Sequence, residues 1–276
     1  MILLLSLIFF VLGLIIGSFL NVVILRLNTA RSLGGRSACM SCYNKLSWYE
    51  LIPLFSFLGL RGRCRNCKTK ISIQYPLVEF TTGLIFASLF LRFSALGGSA
   101  FGGQDLSFLF NPTFFITYIY YAVLFSILIV IATYDLRHKI IPDKLSLVFG
   151  VLAFIGLFFF NVNNFPIFYW HLPSILDFFS GIFIALPFAL FWLISSGRWM
   201  GLGDAKLALG VGWLLGLAGA LSGLVIAFWT GAIIGLFLII LKKGYGMKSE
   251  IPFAPYLVLG AFLAFIFSLN LFGFVF

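Results

Sequence analysis

A chain of 276 residues with 62% hydrophobic and only 9% charged residues cannot coat a water-soluble fold, in which about one quarter of residues are charged. Its net charge of +10 reads as a membrane-orientation signal with some attraction to anionic lipid, and gives no reason to invoke nucleic acid. The class these numbers leave is an all-α polytopic membrane protein.

Uninterrupted apolar stretches predict spans near 2–25, 76–93, 112–134, 145–161, 174–196, 205–218, 220–241 and 255–275. Several approach the ~20 residues a bilayer requires, and the working count is about eight transmembrane helices. Gly216 and Gly219 mark the turn that divides the last long stretch in two. Of the 18 Lys and Arg, all except Arg92 fall in loops on one side of this arrangement. Basic residues near helix ends stay cytoplasmic, so both termini are expected outside and the motif-bearing loops inside.

The first span begins at Met1 without a basic region before it and shows no small-residue cleavage site, so it reads as a retained helix rather than a signal peptide. Its exit, GSFLNVVILRLN, sets Ser18 and Asn21 on an otherwise apolar helix. Interhelical hydrogen bonding and contact with a substrate or cofactor both fit them. The longest soluble segment follows, from Arg26 to about Tyr75, and it holds all four cysteines as CMSC (Cys39, Cys42) and CRNC (Cys64, Cys67). Two CxxC pairs at this separation match a four-thiolate zinc site. A loop with few core-forming groups needs such a metal to hold one shape. Redox chemistry is the competing use, but a reducing cytoplasmic face disfavours structural disulfides.

Glu79 lies where the second span begins. An acid there favours a helix N-terminus, and contact with a cationic cofactor or amine is the alternative. The third span ends in YDLRHKIIPD, which places Asp135 at its cytoplasmic mouth; GLGD, Gly201–Asp204, places Asp204 on the same side. An ionisable residue bordering a span is costly and is by default functional. Two facing carboxylates can share one proton and divide the work, one acting as base on water and the other as acid. That is the apparatus of aspartic proteolysis; a buried structural pair and a proton relay are the other readings. The GLGD glycines are expected to allow bending and close backbone approach. Asp143, after Pro142, reads as a helix cap, and Asp105, Asp177 and Glu50 as loop or cap residues. Glycine pairs at four-residue spacing, Gly212/Gly216, Gly219/Gly223 and Gly231/Gly235, suit close helix packing. No GxGxxG fingerprint is present.

Taken in order, GSFLNVVILRL, CMSC with CRNC, LRGRCRNCKTKISIQYPLVE, YDLRHKIIPD, GLGDAKL and PFAPYLVLGAF resemble the bifunctional type IV prepilin peptidases, aspartic proteases of the GxGD group. The chain departs from the family's common residues at Met40, Gln74 and Ala254. The resemblance implies Asp135 and Asp204 as the catalytic pair and zinc on the four cysteines. It also implies type IV prepilins or pseudopilins as substrates, cleaved after Gly at the cytoplasmic face of the bacterial inner membrane, in service of pili or type II secretion. S-adenosylmethionine would then methylate the new amino terminus. The implied division is 1–93, with the methylation-associated loop at about 26–75, and a peptidase domain over 112–276.

Overall fold

The computed structural model describes residues 1–29, 32, 34–100, 111–160, 170–198, 200–241 and 251–273. They form two compact units, Met1–Ser94 and Ala95–Phe276. Every regular element among the described residues is helical. Asp105, Lys242, Lys243 and Lys248, and the greater part of the two loops expected on the outer side, lie outside the described residues.

In the first unit, α1 (Ile2–Arg26) is followed by a 3-10 turn, Trp48–Leu51, then α2 (Phe55–Gly59) and the start of α3 (Gln74–Ala100). α1 and α3 run antiparallel: Asn21 reaches the Tyr75 carbonyl, and at the other end Phe9 stacks on Phe90 with ring centroids 4.4 Å apart. Small residues permit the approach. A Cβ at Gly17 would stand 2.7 Å from the Glu79 Cα, and one at Gly13 would stand 2.8 Å from the Gly83 Cα. Where lipid removes the hydrophobic drive between helices, this backbone proximity is what holds them together.

The second unit comprises α4 (Pro112–His138), α5 (Asp143–Gly156), α6 (Ile175–Ser195), α7 (Leu202–Ile240) and α8 (Ala254–Phe267). α4 starts where Asn111 accepts from the Thr113 N–H at 3.0 Å with Pro112 behind it, a favoured start because proline lacks only an orphan donor there. It stops at Lys139, in the left-handed region. α7 is the hub, packing against α5, α6 and α8. Gly212 meets the Gly181 backbone of α6, and the buried Ser180 hydroxyl donates to the Gly212 carbonyl at 2.9 Å. Gly223 meets Gly260 of α8 in the same way. Gly231 and Gly235 face only the side chains of Tyr256 and Ile251.

Among the described residues, five helices are long and apolar enough to cross a membrane: Ile2–Arg26, Gln74–Ala95, Pro112–His138, Ile175–Ser195 and Leu202–Ile240. Their outward residues are apolar, with Leu3, Ile194 and Leu236 exposed. The expected division of the last long stretch is present inside α7, where Gly216 leaves the helix at φ 69°, ψ 175°, a conformation open chiefly to glycine. Two expected spans are shorter than read. α5 and α8 have 14 residues each, about 21 Å at ~1.5 Å per residue. α8 stops at Ser268, whose left-handed backbone accompanies the polar Ser268 and Asn270 that the hydropathy reading ran through.

Candidate active site and metal centre

Asp135 lies in the last turn of α4, 5% exposed, and Asp204 in the first turn of α7, half-buried. Within the second unit these two helix ends come together, close enough for the carboxylates to interact electrostatically. The Asp135 Oδ2 accepts the backbone N–H of Ala254 at 3.2 Å, and the Gly201 backbone hydrogen-bonds Asp204. Ala254 is the first residue of α8, so the positive end of that helix also faces Asp135. This donor belongs to the PFAP stretch and was missed in the sequence: a side-chain motif does not show which backbone amide it will present.

The GLGD glycines do not bend the chain through a conformation reserved for glycine. Gly201 is extended, at φ −77° and ψ 148°, which any residue adopts. A Cβ there would meet nothing nearer than the Asp204 Oδ2 at 3.8 Å. Gly203 is inside the first turn of α7, and its Cβ would stand 2.9 Å from that of Ile141. Asp143 makes no side-chain cap; Pro142 holds the N-cap position of α5. Asp143 instead pairs with Lys206 Nζ at 2.6 Å, joining the starts of α5 and α7.

In the first unit the four cysteine sulfurs lie within 4.8 Å of one another. The two CxxC turns repeat one another with a fixed offset of 25 residues, Cys39 to Cys64, Cys42 to Cys67 and Lys45 to Lys70. Cys39 N–H donates to the Asn44 carbonyl and Cys64 N–H to that of Thr69. After each second cysteine comes a left-handed residue, Tyr43 at φ 56° and Lys68 at φ 59°, and each turn closes on an antiparallel bridge. Cys39 and Cys67 Sγ are 3.7 Å apart, close to the ~3.8 Å edge of a tetrahedron with ~2.3 Å metal–sulfur bonds. The Thr69 hydroxyl, then its amide, draws the Cys67 thiol down to about 6. Backbone amides of Cys42 and Ser41 lower Cys39. Both favour the thiolate that a metal binds, whereas Cys42, although the Asn44 amide acts to lower it, is pushed up to about 11 by desolvation and the neighbouring thiols.

Glu79 is not at the start of α3; it sits one turn further in, 8% exposed, where α1 crosses. Its Oε2 accepts the Leu54 N–H at 2.8 Å and it is hydrogen-bonded by Ser18. Asn21, 1% exposed, gives its amide to the Tyr75 carbonyl at 3.1 Å. Ser18 and Asn21 therefore both make contacts between segments, as the first of their two sequence readings holds.

With this geometry in place, comparison with known proteins is decisive. Residues 11–93 match the bacterial peptidase A24 N-terminal domain and residues 122–236 the type IV leader peptidase family. A prepilin leader peptidase/N-methyltransferase of Xanthomonas campestris is 32% identical over 92% of this chain and 88% of its own length. The chain belongs to the type IV leader peptidase family. A protein of the same description from Myxococcus xanthus is 34% identical over 87% of this chain, which spans 65% of that protein. Another, from Bacillus subtilis, is 29% identical over 97% and 96%. No solved structure matches.

Proposed function

We propose that this protein is a membrane-embedded aspartic endopeptidase that removes the short leader of type IV prepilins and pseudopilins after Gly, and then N-methylates the exposed residue with S-adenosylmethionine. The observation that carries the peptidase reading is the meeting of Asp135 and Asp204 at the ends of α4 and α7. One carboxylate takes a proton from water as the water oxygen bonds to the scissile carbonyl carbon. The other, as the acid, protonates the departing amine as the C–N bond breaks. The Ala254 amide, fixed on Asp135, holds that carboxylate in place through the cycle.

Eight apolar helical segments among the described residues, counting α7 as two at Gly216, are read as crossings with both termini outside and the dyad and cysteine loop cytoplasmic. That orientation follows the basic residues. It would place the dyad at the depth where a pilin helix standing in the bilayer presents its leader junction. We assign residues 1–93 to methylation and 112–276 to peptide hydrolysis. Cys39, Cys42, Cys64 and Cys67 fit zinc by donor type and by their sulfur spacing. The metal would shape the loop and take no part in hydrolysis. S-Adenosylmethionine, when bound, supplies the methyl group: the amine nitrogen forms the N–C bond and loses a proton, and sulfur keeps the electrons of the S–C bond that breaks. For Glu79, the weaker cofactor candidate, the bonds to Leu54 and Ser18 favour positioning the loop.

Co-expression with a prepilin and mass spectrometry of the product tests both activities. Leader loss together with one added methyl is expected; an intact leader beside a correctly inserted enzyme refutes the peptidase reading.

A further inference from the structure

Between the two cysteine turns runs WYELIPLFSFLGL, Trp48–Leu60, and it turns apolar side chains outward. Trp48 is 76% exposed, Phe55 and Leu58 71% each, and Tyr49, Leu51 and Ile52 are exposed with them. Tyr49, Phe55, Gly59 and Leu60 line one open concavity of about 320 Å³, so the surface is continuous there. Exposed apolar surface of this kind marks a contact with protein or membrane. Basic side chains flank it in the chain: Lys45, Arg61, Arg63, Arg65, Lys68 and Lys70 are all exposed. Glu50 is the acid of the segment, and its carboxylate accepts the Ser47 N–H at 2.8 Å.

The fold also fixes the level at which this surface lies. Leu54, in the middle of the segment, takes φ 59° and ψ −51°, and the Phe55 N–H donates to the Pro53 carbonyl at 2.6 Å. This is the tight γ-turn that strains a residue with a Cβ, and such a turn persists only where its surroundings hold it. The buried Glu79 holds it: Glu79 Oε2 accepts the Leu54 N–H at 2.8 Å, and Ser18 of α1 hydrogen-bonds the same carboxylate. Glu79 is the sixth residue of α3, roughly 7.5 Å along the helix axis from its start. The segment is therefore held against the flank of α1 and α3, beside the ends of two apolar spans.

We propose that Trp48–Leu60 docks in the membrane interface where α1 ends and α3 begins. Its apolar side chains lie at the boundary with the acyl chains, and the flanking basic residues lie on anionic phospholipid headgroups. Trp and Tyr settle at that level because each ring is apolar with one polar end. Lys and Arg add attraction to anionic lipid, as in other segments that lie in the interface plane. A lipid surface fits better than a protein partner, because the Glu79 bond fixes the patch beside helices that lipid surrounds. The inference rests on reading α1 and α3 as membrane crossings.

The test reconstitutes the full-length protein, with p-benzoylphenylalanine in place of Leu58, in vesicles of phosphatidylcholine alone or with equimolar phosphatidylglycerol, and identifies the photo-adducts by mass spectrometry. The same label in place of Ile8, exposed on α1, reports whether that helix lies in lipid. Lipid adducts at both positions are expected. The Leu58 yield should rise about threefold or more with phosphatidylglycerol, and the excess should shrink as salt screens the charges. Trp48→Ser with Phe55→Ser, which alters two exposed side chains, should cut the Leu58 adduct by a similar factor; if that variant does not fold, the lipid dependence decides the matter. Lipid adducts at Ile8 with none at Leu58, or with Leu58 linked only to a pilin or a second copy, overturn the docking and leave the crossings standing. A Leu58 yield indifferent to phosphatidylglycerol overturns it as well. No lipid adduct at either position removes the crossing of α1, and this inference with it.

Discussion

Replacing Asp135 in two different ways separates its chemical role from its structural one. Asp135 is 5% exposed and its Oδ2 accepts the Ala254 N–H. Asp135→Asn keeps a carbonyl oxygen for that amide and removes a costly buried charge, so folded-state stability should hold or rise slightly. Asp135→Ala leaves the amide buried without its acceptor, a loss of about 1–3 kcal/mol. Both variants remove a proton-transferring group, which contributes roughly 10²–10⁴-fold, about 3–5 kcal/mol of barrier. The pair should therefore match in lost leader cleavage and differ in thermal stability. Initial rates of prepilin cleavage in detergent and unfolding midpoints of the same preparations check this. Cleavage by Asp135→Asn within tenfold of wild type would refute the dyad. Equal midpoints for Asn and Ala would refute the role given to the Ala254 amide.

The same amide predicts that Ala254→Gly, which keeps the N–H, retains cleavage within a few fold; a hundredfold loss in a folded variant would show that the side chain matters. About one zinc per chain is expected from metal analysis, and Cys64→Ser should lose it and expose the loop to proteases while leader removal falls less than methylation. Zinc binding requires the thiols to lose their protons, so zinc release to a chelator should rise on acidification; retention independent of pH counts against thiolate ligation. Among the glycines, Gly201→Ala places a methyl in ordinary contact with the Asp204 carboxylate and the Gly203 amide, so turnover should drop with the midpoint unchanged. Gly212→Ala collides with the Gly181 backbone, so it should cost about 1–3 kcal/mol of stability, as overpacking does. Reversed outcomes for these two would sever Gly201 from the active site.

What could be read from the sequence was whatever depends on side-chain type at fixed spacing. The cysteine turns announce themselves because two CxxC pairs fall in one loop at the separation of a four-thiolate site. Gly216 was legible as a break because only a residue without Cβ holds φ 69° easily. The ends of α5 and α8 were not, since hydropathy averages over the turn residues that stop a helix. Asp143 looked like a cap because it follows proline, but Pro142 occupies the cap position itself. That leaves Asp143 free to reach Lys206, 63 positions away, a pairing set by how α5 packs on α7. Gly203 looked like a conformational glycine and is a packing one, because Ile141 arrives from the segment after α4. The Ala254 amide is the deepest of these omissions: its contribution comes from a backbone group 119 residues from its partner. The two acids could be found one by one from the cost of charge in lipid. What brings them together is the packing of α8 against both α4 and α7, which exists only in the fold.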